Sequence, residues 1–223
     1  MGVLGNYFYE YPRPAFTADV VVFSFIENML KVLLIERGKD PYKGFWAFPG
    51  GFVDENEIVA KAAERELKEE TGLKLNQLIM FHVASDPGRD PRGWVVSTIY
   101  LGFVNREDAI IQPGDDAVNV QFYSLNNIPS LAFDHKNLLD EALKNLKYEI
   151  RHGIIRPDIL PQYFEISEIE SLYSQITGSQ TEAGYLTERL TNLKIILPSG
   201  NGKQYCFDCR RYEEVREYGF LFP

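Results

Sequence analysis

The chain has 223 residues, a length that is typical of one domain joined to a small second domain. Its formal net charge of −9 excludes a general attraction to nucleic acid or to an anionic membrane, so any contact with DNA would need a local basic patch. The sequence has no apolar run of the roughly 20 residues that a membrane helix needs and no signal-peptide pattern, so we expect a cytoplasmic protein without a membrane partner.

The first part of the chain contains predicted strands and two predicted helices. Runs of β-branched and aromatic residues predict strands at residues 19–25, 31–35, 77–84, 94–104 and 118–123. Apolar residues that recur at helical spacing predict helices at residues 57–71 and 136–149. Gly72 is placed to end the first of these helices. The mixture of strands and helices predicts an α+β fold with a mixed sheet.

The character of the sequence changes after about residue 151, where Gly and Pro residues form a connector-like segment. Two short predicted helices and a predicted hairpin follow, and helix, short break, helix and hairpin is the order of a winged helix. The two helices and the two strands of the hairpin lie at residues 167–176, 181–190, 195–197 and 204–207. We therefore expect one domain over residues 1–152 and a small winged-helix domain over residues 153–223.

One segment between these predicted elements carries fixed residues at fixed spacing. It begins at Gly51, reaches Glu57 after five residues, and after seven more continues as Arg65-Glu66-Leu67-Lys68-Glu69-Glu70-Thr71-Gly72-Leu73. It matches the pattern G-x5-E-x7-R-E-U-x-E-E-x-G-U, in which U is aliphatic, at every fixed position. A chance match has a probability on the order of one in 10⁸ per starting point, so the pattern is very specific.

The spacing of the acidic residues has a physical meaning of its own. Glu66 lies three residues before Glu69 and four before Glu70, so a helix would place these three carboxylates on one side. Clustered like charges repel, and a cation compensates them; oxygen ligands favour Mg²⁺ or Mn²⁺. The alternative is a solvated surface helix whose acids pair with Arg65 and Lys68. The preceding Gly-Gly turn and Glu57 favour the metal site.

This segment resembles the Nudix box, and the chain is identified as a member of the Nudix hydrolase superfamily, whose fold is an α/β/α sandwich. The resemblance implies that Glu66, Glu69 and Glu70 bind Mg²⁺ or Mn²⁺, with the Gly50 carbonyl as a further candidate ligand. It implies hydrolysis of the diphosphate bond in a nucleoside diphosphate linked to another group. Such a metal polarises phosphorus and neutralises the leaving phosphate.

Other acidic residues have supporting or catalytic candidate roles. The resemblance implies that Glu57 holds Arg65, which fixes the helix and the loop. Asp115 or Asp116 could supply a further metal ligand or the general base, since loop acids near the metals often complete such sites. The alternative for these two aspartates is an ordinary Gly-Asp turn.

The substrate is indicated by segments that flank the box. Four of them are similar to the ADP-ribose pyrophosphatases of the family, so ADP-ribose or a related nucleoside diphosphate sugar is the expected substrate. The segments are Arg13-Pro14, residues 45–52, residues 85–93 and Gly114-Asp115-Asp116-Ala117.

Several residues are candidates to bind this substrate. Arg89 and Arg92 lie in a predicted loop where they could grip phosphate, against the alternative of arginines on a surface turn. Arg37, just after a predicted strand, is a further substrate-binding candidate. Trp46 could stack on adenine, as could Tyr9, Tyr11 and Phe16, against the alternative of a core or dimer-interface position.

The order of the two domains resembles a second group, the Nudix-related transcriptional regulators. Residues 160–173 are similar to their C-terminal domain. In that group the Nudix fold senses a metabolite and the second helix of the winged helix enters the major groove. The resemblance makes five residues candidates for contact with DNA: Tyr185, Arg189, Lys203, Arg210 and Arg211.

Two features of the sequence disfavour contact with DNA. The predicted recognition helix has two acids, one base and an interior glycine, whereas a helix that contacts phosphates normally carries Lys or Arg. Many such regulators have lost glutamates of the box, whereas this chain keeps every one. We therefore expect an enzyme, with the regulator as the alternative and a bifunctional protein as a third hypothesis. We also expect a homodimer, which is common in the family.

Overall fold

The computed structural model describes residues 10–114, 117–152, 156–200 and 202–218. The strands are β1 (Ala15–Ile26), β2 (Met29–Arg37), β3 (Trp46–Ala47), β4 (Gly50–Phe52), β5 (Ile79–Ala84), β6 (Val95–Phe103), β7 (Ala117–Ser124), β8 (Ile196–Pro198) and β9 (Tyr205–Phe207). The helices are α1 (Val59–Thr71), α2 (His135–His152), α3 (Ile166–Thr177), α4 (Gln180–Asn192) and α5 (Cys209–Tyr218). Every described helix is too short or too polar to cross a membrane.

The long strand β1 is the centre of a seven-stranded mixed sheet. It pairs in parallel with β6 and antiparallel with β2 and β4, while β7 and β3 pair with β2 and β5 pairs with β6. Alternate residues of β1 face opposite sides of the sheet, so Val20 and Val21 belong to two different cores. The sheet thus has an apolar layer on each face.

A helix covers each face of the sheet. Ala62, Ala63 and Leu67 of α1 complete the core on one face. Leu139 and Leu146 of α2 are buried in the core on the other face. This is an α/β/α sandwich with a mixed sheet, which confirms the predicted fold class.

The helix α1 begins two residues later than predicted. The carboxylate of Glu57 accepts a hydrogen bond from the Asp54 N–H, so residues 54–57 form a turn before the helix begins at Val59. The helix ends as predicted, at Gly72, whose φ of 76° lies in the left-handed region that favours glycine. The Gly72 N–H donates to the Lys68 carbonyl and closes the last turn.

The C-terminal part has the predicted winged-helix order. Helices α3 and α4 are followed by the β8-β9 hairpin, and Phe164 adds a backbone bridge to Tyr205. A further helix, α5, was not predicted, because its charged sequence shows no clear apolar spacing; Tyr212 is its buried anchor. The expected boundary between residues 152 and 153 lies beside residues that are not described, and it stays a prediction.

The C-terminal part packs directly on the sheet. Buried side chains of α3, such as Leu172 and Tyr173, belong to the same core as Phe23 of β1. Gln175 of α3 accepts from the Leu30 N–H at 2.9 Å and so ties α3 to the start of β2. The winged-helix part is therefore held by a shared apolar core, not by a tether alone.

Candidate functional site

The turn between β3 and β4 brings backbone against the acidic face of α1. Gly50 pairs with Asp19 of β1, and its N–H donates to Oε2 of Glu70 at 2.9 Å. A Cβ on Gly50 would lie 2.5 Å from the Ala18 carbonyl oxygen, and a Cβ on Gly51 would collide with the Glu66 carboxylate. The site therefore needs glycine at position 50, where the collision is with backbone, whereas a side chain at position 51 would have to displace the Glu66 carboxylate.

The three glutamates of the box differ in exposure. Glu70 is buried, the Glu66 side chain is 15% exposed and the Glu69 side chain is 57% exposed. Glu66 and Glu69 both accept from Nη1 of Arg65, at 2.7 Å and 3.2 Å. Burial raises the pKa of Glu66, since desolvation disfavours its charged form.

The oxygen chemistry of these groups suits Mg²⁺ or Mn²⁺, and Gly50, Glu66 and Glu70 line one cleft. The described residues hold no group of three or more acidic, His or Cys side chains converged tightly enough to hold a metal ion. Arg65 explains this arrangement, because it holds the carboxylates of Glu66 and Glu69. A metal ion that uses all three glutamates would have to draw Glu66 and Glu69 away from Arg65.

Glu57 and Arg65 form the strongest ion pair at the site. Nε and Nη2 of Arg65 donate to the two carboxylate oxygens of Glu57 at 2.8 Å each, and Nη2 also donates to the Phe52 carbonyl at 3.1 Å. The hydrogen bonds from Arg65 lower the pKa of Glu57 to about 2. Arg65 thereby joins the Gly-Gly turn to α1, the arrangement that the box predicts.

The cleft is lined by both acidic and basic side chains. Its volume is ≈ 320 Å³, and its charged lining residues are Arg37, Lys39, Asp40, Asp54, Glu66, Glu70 and Arg92. Carboxylates can bind a cation while guanidinium groups bind phosphate oxygens in the same cleft. The cleft is thus suited to a metal-bound diphosphate.

A smaller compartment of ≈ 60 Å³ adjoins the cleft, and Arg37 and Arg92 line both spaces. Aromatic rings contact both of these arginines. The Arg37 guanidinium lies 4.8 Å from the Phe133 ring centroid, and that of Arg92 lies 4.7 Å from the Phe52 centroid. Arg92 also pairs with Asp90 at 2.6 Å. These contacts orient the two cations that face the cleft.

Arg89 has a different environment from the one expected for a phosphate-binding loop residue. Its side chain is 5% exposed, and its Nε and Nη2 each donate to Asp134 at 2.8 Å. Its Nη1 donates to Ser97 Oγ at 2.6 Å. The guanidinium is therefore held inside the small compartment and does not line the cleft beside the glutamates. The alternative of a surface turn does not describe it either, because the side chain is buried.

Asp19 and His135 belong to the same compartment and were missed in the sequence. Burial raises the pKa of Asp19 to about 6 and lowers the pKa of His135 to about 3, so the imidazole is neutral at pH 7. His135 Nδ1 accepts from the Phe48 N–H at 3.0 Å, two residues before the Gly-Gly turn. An acid inside an apolar strand was the available signal for Asp19.

The structure does not bring Trp46 to the cleft. Its ring packs edge-to-face on Tyr123 at 4.8 Å against the core, as the alternative to adenine stacking expects. Tyr11 and Phe16 are exposed and line neither compartment. Tyr9 lies outside the described residues.

Asp115 and Asp116 also lie outside the described residues, but the segment before them is well anchored. The Gln112 N–H donates to the Thr71 carbonyl at 2.9 Å, and the Gly114 N–H donates to the Glu70 carbonyl at 3.1 Å. The chain therefore passes the end of α1, next to the backbone of Glu70, just before the two aspartates.

The five candidates for DNA contact lie on three different elements. Tyr185 is 61% exposed on α4 and Arg189 is half-buried there, while Lys203 is exposed between β8 and β9. On α5, Arg210 and Arg211 both pair with Glu214 at 3.2 Å. Arg211 also donates to the Leu193 carbonyl. The carboxylate of Glu214 thus reduces the positive charge that the two arginines present near the wing.

In this α/β/α sandwich a glutamate-rich helix lies against a Gly-Gly turn beside a mixed sheet. This combination defines the class of protein. Residues 15–145 match the model of the NUDIX domain, so the chain belongs to the NUDIX family. The prediction of a Nudix hydrolase is confirmed at the level of this family.

Relatives of both predicted groups are similar to this chain. An "ADPR responsive transcriptional repressor NtrR" from Acinetobacter baylyi is 30% identical over 221 residues, which cover 96% of this chain and 88% of the repressor. An "ADP-ribose pyrophosphatase" from Methanocaldococcus jannaschii is 42% identical over 135 residues, 60% of this chain and 76% of that enzyme. The crystal structure of Shewanella oneidensis NrtR matches with a TM-score of 0.77 at 26% identity and covers 93% of this chain and 98% of that one.

Proposed function

We propose that this chain hydrolyses the diphosphate bond of ADP-ribose or a similar nucleoside diphosphate sugar with Mg²⁺ or Mn²⁺. The observation that carries the proposal is the cleft itself, in which Glu66 and Glu70 share a volume of ≈ 320 Å³ with Arg37 and Arg92. The pyrophosphatase among the relatives supports the choice of substrate.

We assign the roles of the residues from the resemblance to the Nudix box together with their contacts. Glu66, Glu69 and Glu70, with the Gly50 carbonyl, would hold the metal, which when bound neutralises phosphate charge and lowers the pKa of water. Glu57 keeps Arg65 in place through two hydrogen bonds. Arg65 in turn holds Glu66 and Glu69, and a metal that used these two carboxylates would have to compete with it.

The arginines of the cleft bind the substrate. Arg37 and Arg92 would contact the diphosphate oxygens, and the rings of Phe52 and Phe133 hold their guanidinium planes. Arg89 supports the site without touching the substrate, through its hydrogen bonds to Asp134 and Ser97. Asp115 or Asp116 would accept the proton of the attacking water, since the chain passes Glu70 immediately before them.

A substrate panel tests the enzyme proposal. ADP-ribose and several nucleoside diphosphate sugars are incubated with the protein and Mg²⁺, and the phosphate monoesters released are measured. We expect turnover that EDTA abolishes and that Glu66→Gln lowers at least about 100-fold. Glu64→Gln is the matched control, because Glu64 lies on the same helix but is half-exposed and pairs with Lys61. Absence of product from every compound would contradict the proposal.

The second candidate is a regulator that senses such a metabolite and binds DNA. It is favoured by the repressor that matches along nearly the whole chain and by the apolar core that joins α3 to the sheet. Its contacts would come from Tyr185, Arg189 and Lys203, with Arg210 and Arg211 at the wing. A mobility-shift assay with the chain's own upstream DNA and a scrambled control tests it. Specific binding that ADP-ribose alters would support it, and equal binding to both DNAs would contradict it.

We further propose that the chain forms a homodimer and that its domain boundary lies near residue 152. Light scattering after size-exclusion chromatography should give twice the chain mass of 25.6 kDa. Limited proteolysis should cut first near residue 152, because Gly and Pro residues make the sequence that follows connector-like. A monomer over the micromolar range, or a first cut elsewhere, would contradict these proposals.

A further inference from the structure

A second cavity lies on the α2 face of the sheet, away from α1. Its volume is ≈ 360 Å³, at the lower end of the range for small-molecule sites. It is bounded by β5, β6, α2, Arg156 of the connector and Arg216 of α5, so both parts of the chain contribute to it. No described residue lines both this cavity and the cleft beside the glutamates.

The inner wall of the cavity is apolar. Leu101 and Phe103 of β6 are buried and lie on the same face of the sheet, and Leu146 of α2 is buried opposite them. The register of β5 against β6 shifts between Met80 and His82, which makes Phe81 the extra residue of a bulge at the cavity. Bulges redirect side chains at strand edges, and here both Met80 and Phe81 line the space.

The polar side of the cavity carries two arginines, Arg156 and Arg216, each with an acidic partner only at 3.4 Å or more. Arg156 Nη1 is buried without a hydrogen-bond partner, one of two such side-chain atoms in the described part of the chain. Its Nη2 reaches Asp158 only at 3.4 Å. Arg216 lines the same cavity and is 48% exposed, with Glu213 at 3.6 Å. Glu149 is the only acid in the described lining.

A buried guanidinium nitrogen without a partner is costly, and an anion that reached this nitrogen from the cavity would remove this cost. The apolar wall would at the same time bury the hydrocarbon part of the same ligand. We propose that this cavity binds a small amphipathic anion, with its single carboxylate or phosphate on Arg156 and Arg216 and its apolar body against Leu101, Phe103 and Phe81.

The methionines of this chain make the site easy to monitor. The chain has three, and Met80 lines the cavity while Met29 lies at the start of β2. With ¹³C-methyl methionine, octanoate should shift the Met80 signal in a saturable manner and leave the Met29 signal unchanged. Met80→Leu assigns the signal. 1-Octanol, which lacks the charge, and acetate, which lacks the apolar body, should each bind at least about tenfold more weakly.

Variants of the two arginines test the charge. Arg156→Gln should weaken octanoate at least about tenfold and Arg156→Lys should restore much of the affinity, because a cation remains. Arg216→Gln, at a half-exposed position that leaves folding intact, should weaken it by about threefold. Arg210→Gln, 90% exposed on the same helix, is the matched control and should have no effect. No shift of Met80, equal binding of 1-octanol, or unchanged affinity in both Arg156→Gln and Arg216→Gln would overturn the proposal. None of these readouts depends on turnover.

Discussion

Replacing Arg89 with Met removes one half of a buried ion pair. The side chains of Arg89 and Asp134 are 5% and 17% exposed, and two N–H groups of Arg89 donate to the carboxylate. Removing one partner of a buried pair costs about 3–5 kcal/mol, because the remaining charge stays desolvated without its counter-charge. Asp134 keeps some contact with water, so we expect the lower end, about 3 kcal/mol, for the loss in the free energy of unfolding.

Thermal denaturation followed by circular dichroism measures this loss. A chain of this size loses roughly 2–4 °C in melting temperature per kcal/mol, so the melting temperature should fall by about 6–12 °C. The double variant Arg89→Met with Asp134→Leu should regain most of the stability, because no buried charge is left alone. Arg210→Met, at an exposed position, is the control and should change stability by less than about 0.5 kcal/mol.

The kinetic result separates a supporting role from phosphate binding. If Arg89 only supports the site, the folded variant should keep its KM for ADP-ribose within about threefold. A variant as stable as the wild type, with KM raised more than tenfold, would refute the reasoning, since Arg89 would then contact the substrate directly.

Three further predictions concern the Gly-Gly turn and the groups around it. Gly50→Ala should lower kcat/KM at least about 100-fold, since its Cβ would lie 2.5 Å from the Ala18 carbonyl oxygen and would displace the turn, and steady-state kinetics would show it. Arg65 holds the pKa of Glu57 at about 2, below its usual 4.5, so the pair stabilises the protein above pH 4.5 and loses this contribution as the pH falls toward 2. Urea unfolding of Glu57→Gln should therefore depend less on pH in this window. Burial raises the pKa of Asp19 from 3.8 to about 6, so the wild type loses stability as the pH rises through this window. Asp19→Asn should lack that loss, with a gain over the wild type of up to about 3 kcal/mol at pH 8 in thermal unfolding; a variant with the wild-type pH profile would contradict this.

The sequence alone was enough to predict those features of the fold that depend on residues close together in the chain. The resemblance to the Nudix box implied that Glu57 holds Arg65, and the structure contains this pair. Gly72 ends its helix in the left-handed region, as predicted from the sequence. The order of α3, α4 and the hairpin likewise follows from short-range signals.

Features that depend on distant contacts were missed. Arg89 meets Asp134 across 45 positions in the chain, and no local pattern distinguishes that pairing from a phosphate contact. The hydrogen bond from the Phe48 N–H to His135 likewise joins two residues that are 87 positions apart in the chain. Strands β3 and β4 have two and three residues, too few for an alternating pattern to be recognised.

The central claim is that the glutamates of the cleft are required for diphosphate hydrolysis. The most direct measurement is kcat/KM for ADP-ribose with Mg²⁺ in the wild type, Glu70→Gln and the control Glu64→Gln. Glu70 is buried and accepts from the Gly50 N–H, whereas Glu64 is half-exposed. We predict a loss of at least about 100-fold for Glu70→Gln and less than about threefold for Glu64→Gln. Equal rates for Glu70→Gln and the wild type would contradict the account.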